Sequence, residues 1–249
     1  MEPKVFNFDY IFDGKTKQSD VYKVVAKPVL NNVFNGWNGT IFAYGQTSSG
    51  KTFTMQGALT DQKLKGIIPR IVDGIFERID NEVENFEFLI KISMVEIYME
   101  KITDLLNING TKPVKIRETP SKGVYLENLL ELCVADETEV MEIIANGNQN
   151  RKVGRTDMNA VSSRSHLVTI LNIQQNDLND SSVKKGKLYL VDLAGSEKVG
   201  KTGAKGLLLE QAMMINKSLL CLGNVINALT DGKPHIPYRY ILHIKLYLT

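Results

Sequence analysis

Residues 40–52 have the composition and spacing of a loop that binds a polyphosphate. They read TIFAYGQTSSGKT and meet the pattern G-x-x-x-x-G-K-[ST] at Gly45, Gly50, Lys51 and Thr52. In such a loop the glycines allow close wrapping around phosphates, and successive backbone N–H groups form a positive cradle with a helix N-terminus. The lysine reaches the β- and γ-phosphates, and the hydroxyl group ligates Mg²⁺. A chance glycine-rich turn is the alternative, but the apolar strand before the loop and the helix after it favour a nucleotide site. The residues predicted to bind the nucleotide are Gly45, Gln46, Thr47, Ser48, Ser49, Gly50, Lys51 and Thr52.

A second stretch with the chemistry of a nucleotide site begins at Asp192. This residue follows the apolar run LYLV, which is where phosphate-loop folds place the acid that holds Mg²⁺ through water. A strand-end cap is the alternative for Asp192 alone. Gly195 and Glu197 follow closely and favour a functional site, in which we expect the Gly195 N–H to be free for a γ-phosphate.

A third polar stretch, NAVSSRSH, occupies residues 159–166. A run of this kind is ordinarily a solvated loop. Here the hydroxyl groups of Ser162 and Ser163 are able to ligate Mg²⁺ or the γ-phosphate, and Arg164 is able to pair with Glu197 across the site.

Alternating strand and helix patterns surround these stretches and predict one α/β domain, with a central mixed β-sheet of the P-loop NTPase type flanked by helices. The principal elements expected from the patterns are a short strand at Phe6–Phe8, a helix from Ser19 that Pro28 kinks or splits, a strand over Phe86–Met99, a hairpin around Pro120–Gly123, a helix from Asp136 that ends at Asn146–Gly147, a strand ending at Asp192, and a long helix up to Gly232.

The composition is that of an ordinary globular protein. The 249 residues are 43% hydrophobic and carry a net charge of +2, from 30 basic and 28 acidic side chains. This balance gives no bulk charge for a nucleic acid partner, and we expect none. Cys133 and Cys221 lie in apolar runs and are expected to be free thiols. We also expect no membrane segment and no signal peptide, and therefore a cytosolic protein.

The three stretches together resemble the phosphate loop, switch I and switch II of the kinesin motor family. The flanking sequences agree with that family at Gly66–Arg70, Glu96–Tyr98 and Ile215–Leu219. Within the family the chain is most similar to conventional kinesin heavy chains, particularly fungal ones. Residues 1–239 are therefore interpreted as a partial kinesin motor domain.

The resemblance implies ATP and Mg²⁺ as ligands, and it assigns roles to the switch residues. Ser162 and Ser163 close on the metal and the γ-phosphate, and Gly195 closes from the other side. Arg164 and Glu197 form the salt bridge that shuts the site, and Glu197 relays a proton from the attacking water. The residues that the resemblance assigns are Glu197, Arg164, Ser163 and Gly195 for catalysis, and Thr52, Ser162 and Asp192 for the metal.

The resemblance also implies a partner, the tubulin of microtubules. In the family the long helix after switch II, here Leu207–Thr230, and a hairpin loop, here Glu118–Gly123, bind tubulin. The expected location is the cytoplasm, on the microtubule cytoskeleton. Full-length relatives dimerise through a coiled coil that is absent from this sequence.

The sequence departs from the family in three places. It has no R-x-R-P adenine-binding motif at its start, and residues 240–249 form an apolar tail, YILHIKLYLT, unlike the family. In addition, Leu207, Leu208, Met213 and Met214 stand where the family is often polar. If they face tubulin they weaken electrostatic steering; the alternative is that some of them face the core.

Other classes fit the motifs less well. A myosin-like ATPase shares the Ser-Ser-Arg core of switch I but differs in its phosphate loop, and a GTPase should carry N-K-x-D, whereas Asn216–Leu219 lacks the acid. A helicase should show an acidic pair and a basic stripe. The remaining alternative is a truncated kinesin-like fragment that binds nucleotide without motor activity.

Overall fold

A computed structural model describes residues 5–59, 61–82, 84–120, 123–153, 163–197 and 207–237. In this part of the chain the helices are α1 (Gln18–Val21), α2 (Lys27–Phe34), α3 (Lys51–Met55), α4 (Ile67–Glu82), α5 (Glu137–Val153) and α6 (Leu207–Thr230). A π-helix, Tyr22–Ala26, joins α1 to α2. None of the helices in the described ranges is long and apolar enough to cross a bilayer. The predicted tail, residues 240–249, lies outside the described residues.

The centre of the fold is a mixed β-sheet. Its described strands pair in the spatial order β1 (Gly39–Ala43), β8 (Val183–Asp192), β7 (His166–Asp177), β2 (Phe86–Tyr98) and β3 (Lys101–Asp104), and β6 (Leu132–Val134) also pairs with β2. β1 runs parallel to β8, and the other pairs are antiparallel. The predicted fold class is therefore confirmed.

The strand register brings the predicted site residues to one edge of the sheet. Ala43, the last residue of β1, lies opposite Asp192, the last residue of β8. Asp192 in turn lies opposite Leu167, beside the start of β7. The phosphate loop follows β1, switch II follows β8, and switch I leads into β7, all at this end of the strands.

Each face of the sheet carries its own apolar core. Side chains alternate along β7, so that Leu167 and Leu171 belong to one core, while Val168 and Ile170 belong to the other. Helices α2, α4 and α5 bury their apolar residues in the first core. The second core holds residues of α6 and of a hairpin formed by β4 (Lys115–Thr119) and β5 (Gly123–Glu127). The predicted hairpin is thus confirmed.

The predicted strand at Phe6–Phe8 and the predicted irregularity at Pro28 differ in the structure. Phe6–Phe8 is irregular rather than a strand, and both phenylalanines are exposed. The irregularity expected at Pro28 is a π-helix in the turn before it: Tyr22–Ala26 lead directly into α2, and Pro28 stands in the first turn of α2.

Helix α5 is longer than predicted. The predicted start at Asp136 is confirmed, since Asp136 Oδ1 accepts a hydrogen bond of 2.8 Å from the Glu139 N–H and so caps the helix. The helix does not end at Gly147 but continues to Val153. A Cβ atom at Gly147 would lie 2.6 Å from the Met94 sulfur, so this glycine serves close packing against β2 rather than a helix end. The predicted end of the helix was wrong.

Candidate nucleotide site

The phosphate-loop pattern lies in the predicted context, between strand β1 and helix α3. Gly50 precedes the helix with a φ of 91°, a conformation that favours glycine. Lys51 and Thr52 form the first turn of α3. The Lys51 ammonium group donates hydrogen bonds to the carbonyl oxygens of Gly45 at 3.0 Å and Gln46 at 2.9 Å, so its charge lies against the loop.

Thr52 and Asp192 form a pair of oxygen ligands. The Thr52 hydroxyl donates to Asp192 Oδ2 at 2.5 Å. The other carboxylate oxygen, Oδ1, is buried and has no hydrogen-bond partner in the described part of the chain. Burial raises the pKa of Asp192, although the Thr52 hydrogen bond and the charges of Arg151 and Lys51 act in the opposite direction. An orphaned carboxylate oxygen beside a hydroxyl oxygen fits a hard cation such as Mg²⁺.

The stretch after Asp192 is hydrogen-bonded along the phosphate loop. The Leu193 N–H donates to the Ala43 carbonyl at 3.2 Å, and the Ser196 N–H donates to the Gly45 carbonyl at 3.1 Å. The sequence predicted a free Gly195 N–H. In the structure this N–H donates to the Ser163 carbonyl at 2.7 Å. The reason is proximity, because the start of β7 and the end of β8 share one edge of the sheet. This bond joins the two switch stretches directly.

Glu197 is held by the phosphate loop itself. Its carboxylate oxygens accept hydrogen bonds from the Thr47 N–H at 2.8 Å and from the Thr47 hydroxyl at 2.6 Å. Partial burial raises the pKa of Glu197, but these two bonds and the charge of Lys51 outweigh it, so the pKa lies below its ordinary value. A Cβ atom at Gly195 would come within 2.3 Å of the Glu197 carboxylate, so a larger residue here would displace the Glu197 side chain from this position.

Switch I is described from Ser163 onward; Ser162 lies outside the described residues. Arg164 lines a cavity of about 10 Å³ together with Glu100, His166 and Met214. The predicted salt bridge between Arg164 and Glu197 stays a prediction.

A buried ion pair anchors the end of switch I, and the sequence interpretation missed it. Arg151 donates from Nε to Glu96 Oε1 at 3.1 Å and from Nη2 to the Ser165 hydroxyl at 2.9 Å. Ser165 Oγ in turn donates to Glu96 Oε1 at 2.5 Å. The predicted end of the helix at Asn146–Gly147 leaves Arg151 outside it, whereas Arg151 lies in the last turn of α5. The available signal was Glu96, an acid between the apolar residues Val95 and Ile97 of β2, since a buried charge requires a partner.

The strand, loop and helix, with an acid at the end of the neighbouring strand, define a P-loop nucleotide-binding fold. The Kinesin motor domain family model matches residues 1–241. The chain therefore belongs to the kinesin motor domain family.

Curated relatives agree with this assignment. The chain is 54% identical over 238 residues to Kinesin-related protein 3 of Dictyostelium discoideum, covering 94% of the chain and 20% of the relative. It is 55% identical over 236 residues to the Kinesin heavy chain of Syncephalastrum racemosum, covering 94% and 25%. It is 50% identical over 237 residues to Kinesin heavy chain isoform 5C of Homo sapiens, covering 95% and 25%. The chain thus spans about a fifth to a quarter of the length of these relatives.

A solved structure agrees as well. It is described as a fast kinesin, with implications for the ATPase mechanism and interactions with microtubules. The TM-score is 0.89 at 48% identity, and the alignment covers 97% of this chain and 68% of the other. The resemblance to kinesin heavy chains seen in the sequence is confirmed.

Proposed function

We propose that the chain is the nucleotide-hydrolysing domain of a microtubule motor, which couples ATP hydrolysis to microtubule binding and movement. The observation that carries the proposal is the bond between the Gly195 N–H and the Ser163 carbonyl, at 2.7 Å. It joins the two switch stretches beside the phosphate loop, where a γ-phosphate contacts both. Such an arrangement reports the presence or loss of that phosphate.

Binding uses the loop, the first turn of α3 and the end of β8. The backbone N–H groups of residues 45–52 and the Lys51 ammonium group hold the phosphates. Thr52 and Asp192, together with Ser162, hold Mg²⁺; when bound, it neutralises charge on the β- and γ-phosphate oxygens. The unsatisfied Asp192 Oδ1 supports this ligand set.

Glu197 changes partners when phosphate enters the loop. The Thr47 N–H and hydroxyl groups, which now bond the Glu197 carboxylate, are donors that a phosphate oxygen also requires. Phosphate binding therefore releases Glu197 to pair with Arg164. Water then attacks the γ-phosphorus, the bond to the β–γ bridging oxygen breaks, and a proton passes from the water to Glu197 by relay.

Ser163 and Gly195 complete the catalytic set. The Gly195 N–H exchanges the Ser163 carbonyl for a γ-phosphate oxygen, and the Ser163 hydroxyl contacts the same phosphate. Catalysis of this kind depends on positioning and electrostatic stabilisation rather than on covalent chemistry. The products are ADP and inorganic phosphate.

The surface that responds lies on the face of the sheet that carries α6 and the β4–β5 hairpin. Leu219 and Leu222 of α6 share a core with Val124 of the hairpin, so the two elements form one face. We propose that this face binds tubulin and that the protein acts on microtubules in the cytoplasm. Met213 is 60% exposed, whereas Met214 is partly buried, so of these two methionines one lies on the surface and the other lies partly in the interior.

The proposal is tested by measuring ATP turnover with and without polymerised microtubules. The chain is assayed alone and within the flanking motor sequence of the Syncephalastrum racemosum heavy chain, and we expect microtubule stimulation in the longer protein and little in the chain alone. In the longer protein Glu197→Ala and Arg164→Ala should lower stimulated turnover by about a hundredfold or more while fluorescent ATP still binds. Stimulation that survives either substitution would refute the assigned roles. Nucleotide binding without hydrolysis in both proteins would support a binding fragment instead.

A further inference from the structure

His166 lies between switch II and helix α6 and is hydrogen-bonded to both. Its Nδ1 atom accepts a hydrogen bond from the Ala194 N–H at 3.1 Å. A ring nitrogen that accepts in this way carries no proton, so Nε2 bears the hydrogen. Nε2 lies 3.2 Å from the Ser218 hydroxyl oxygen and donates to it. Ser218 in turn donates to the Ile215 carbonyl at 2.7 Å.

The surroundings hold the imidazole in this state. His166 and Ser218 are each 5% exposed, so water does not compete for their bonds. The charged groups around the ring are Arg151 and, across the small cavity, Arg164 and Glu100. Burial, with the positive charge of Arg151, lowers the pKa of His166 to about 4. The ring is therefore neutral near pH 7 and keeps a fixed tautomer.

The two bonds connect elements with different tasks. The two residues after Ala194 bond to the rest of the site. The Gly195 N–H donates to the Ser163 carbonyl, and the Ser196 N–H donates to the Gly45 carbonyl. If a γ-phosphate displaces the Gly195 backbone, as the proposed function requires, the adjoining Ala194 N–H is displaced with it. On the other side, α6 packs on the sheet through Leu219 and other apolar side chains, and such contacts alone fix the rotation of a helix only loosely. The bond to Ser218 is directional and fixes it.

We propose that His166 is a positioning residue that transmits the displacement of switch II to helix α6. The inference rests on the proposed function, because it requires a nucleotide that moves the Gly195 backbone. The imidazole ring is rigid, and its two nitrogens bond the loop and the helix respectively. A displacement of the loop therefore displaces the helix. Neither the sequence motifs nor the family match assigns this role to His166.

The test is amide hydrogen exchange on the 249-residue chain, with Mg²⁺ and either ADP or a non-hydrolysable ATP analogue. In the wild type we expect exchange in both the 193–197 and the 213–230 segments to differ between the two nucleotides. In His166→Ala we expect the difference in 193–197 to persist and the difference in 213–230 to be lost. Exchange at Ala194 should also be about tenfold faster in the variant without nucleotide, because its N–H loses an acceptor.

Variants that keep one side of the link separate positioning from packing. In His166→Asn the amide oxygen lies near the position of Nδ1 and retains the Ala194 bond, but the side chain is too short for Ser218. Ser218→Ala removes the same hydrogen bond by changing the residue on the helix instead of the histidine. Both should show normal exchange at Ala194 and no nucleotide response in α6. Thr230→Ala is the matched control, since the Thr230 hydroxyl on the same helix bonds only carbonyls of that helix in the described structure.

The outcomes are distinguishable. If fluorescent nucleotide does not bind the wild-type chain, the proposed function fails and this inference fails with it. If nucleotide binds and α6 responds equally in the wild type and in folded His166→Ala, the link is refuted while the proposed function stands. A loss of response in Thr230→Ala equal to that in Ser218→Ala would also refute it. Unchanged melting temperatures in the variants would exclude unfolding as the cause of a lost response.

Discussion

The buried pair of Arg151 and Glu96 gives a strong quantitative prediction about stability. The two side chains are 9% and 14% exposed, and the Arg151 Nε lies 3.1 Å from Glu96 Oε1. Replacing Arg151 by methionine keeps the apolar volume but leaves the Glu96 carboxylate buried without the guanidinium group. Breaking a buried pair in this way costs about 3–5 kcal/mol. We therefore expect Arg151→Met to lower the free energy of unfolding by that amount.

Removing both charges should cost much less. In the double variant Arg151→Met/Glu96→Leu no charge of the pair remains buried, and the main loss is the hydrogen bonding of Ser165. Losing hydrogen bonds of a buried hydroxyl costs about 1–3 kcal/mol. Glu96→Leu alone should again cost about 3–5 kcal/mol, because it strands the guanidinium group. The cycle therefore predicts a coupling energy of about 3 kcal/mol or more.

The assay is urea unfolding followed by far-ultraviolet circular dichroism for the four proteins of the cycle. The matched control is the pair of Arg117 and Glu127 on the β4–β5 hairpin, which has a similar separation of 3.0 Å but side chains 52% and 39% exposed. Its coupling energy should be below about 1 kcal/mol. A cost for Arg151→Met below about 1 kcal/mol, or equal coupling energies in the two pairs, would refute the reasoning.

Three further predictions concern stability and binding. Because the pKa of His166 falls from 6.5 to about 4 on folding, the unfolded state binds more protons between these values, so acidification from pH 6.5 to pH 4 should remove about 3 kcal/mol of stability. This loss should be absent in His166→Gln but present in the exposed control His235→Gln, as measured by urea unfolding at each pH. Gly186→Ala should lower the free energy of unfolding by about 3 kcal/mol, since its Cβ would lie 2.2 Å from the Val33 carbonyl oxygen. Gly223→Ala in α6, whose Cβ would meet nothing within 4 Å, should raise the free energy of unfolding by up to about 1 kcal/mol. Equal effects of the two substitutions would contradict the packing described at Gly186. Thr52→Asn should abolish Mg²⁺-dependent binding in a fluorescent-nucleotide titration, and binding that is unchanged by the substitution would remove Thr52 from the metal site.

Local patterns predicted much of the fold and the phosphate site. The G-x-x-x-x-G-K-[ST] pattern acts through the backbone of one loop and one helix turn, so a single stretch of sequence specifies it. The hairpin and the strand that ends at Asp192 are also local, because alternation or an apolar run bounded by turn residues indicates a strand. The resemblance of the three stretches to the family's motifs is likewise carried by the sequence alone.

The missed features depend on contacts between residues distant in sequence. The Asn146-Gly147 pair is typical of a helix end. In the structure Gly147 packs closely against Met94, and no local sequence pattern indicates that contact. Arg151 was then placed outside its helix. The Gly195 N–H was expected to be free because its acceptor, the Ser163 carbonyl, reaches it only through the pairing of β7 with β8.

The most direct test of the central claim is whether microtubule affinity depends on the γ-phosphate. Co-sedimentation with microtubules is measured for the chain within the flanking motor sequence, with saturating Mg²⁺ and either ADP or a non-hydrolysable ATP analogue. If the phosphate loop and both switches form one γ-phosphate sensor, the Kd for microtubules should be lower with the analogue, by about tenfold. Equal Kd values with both nucleotides bound would contradict the account.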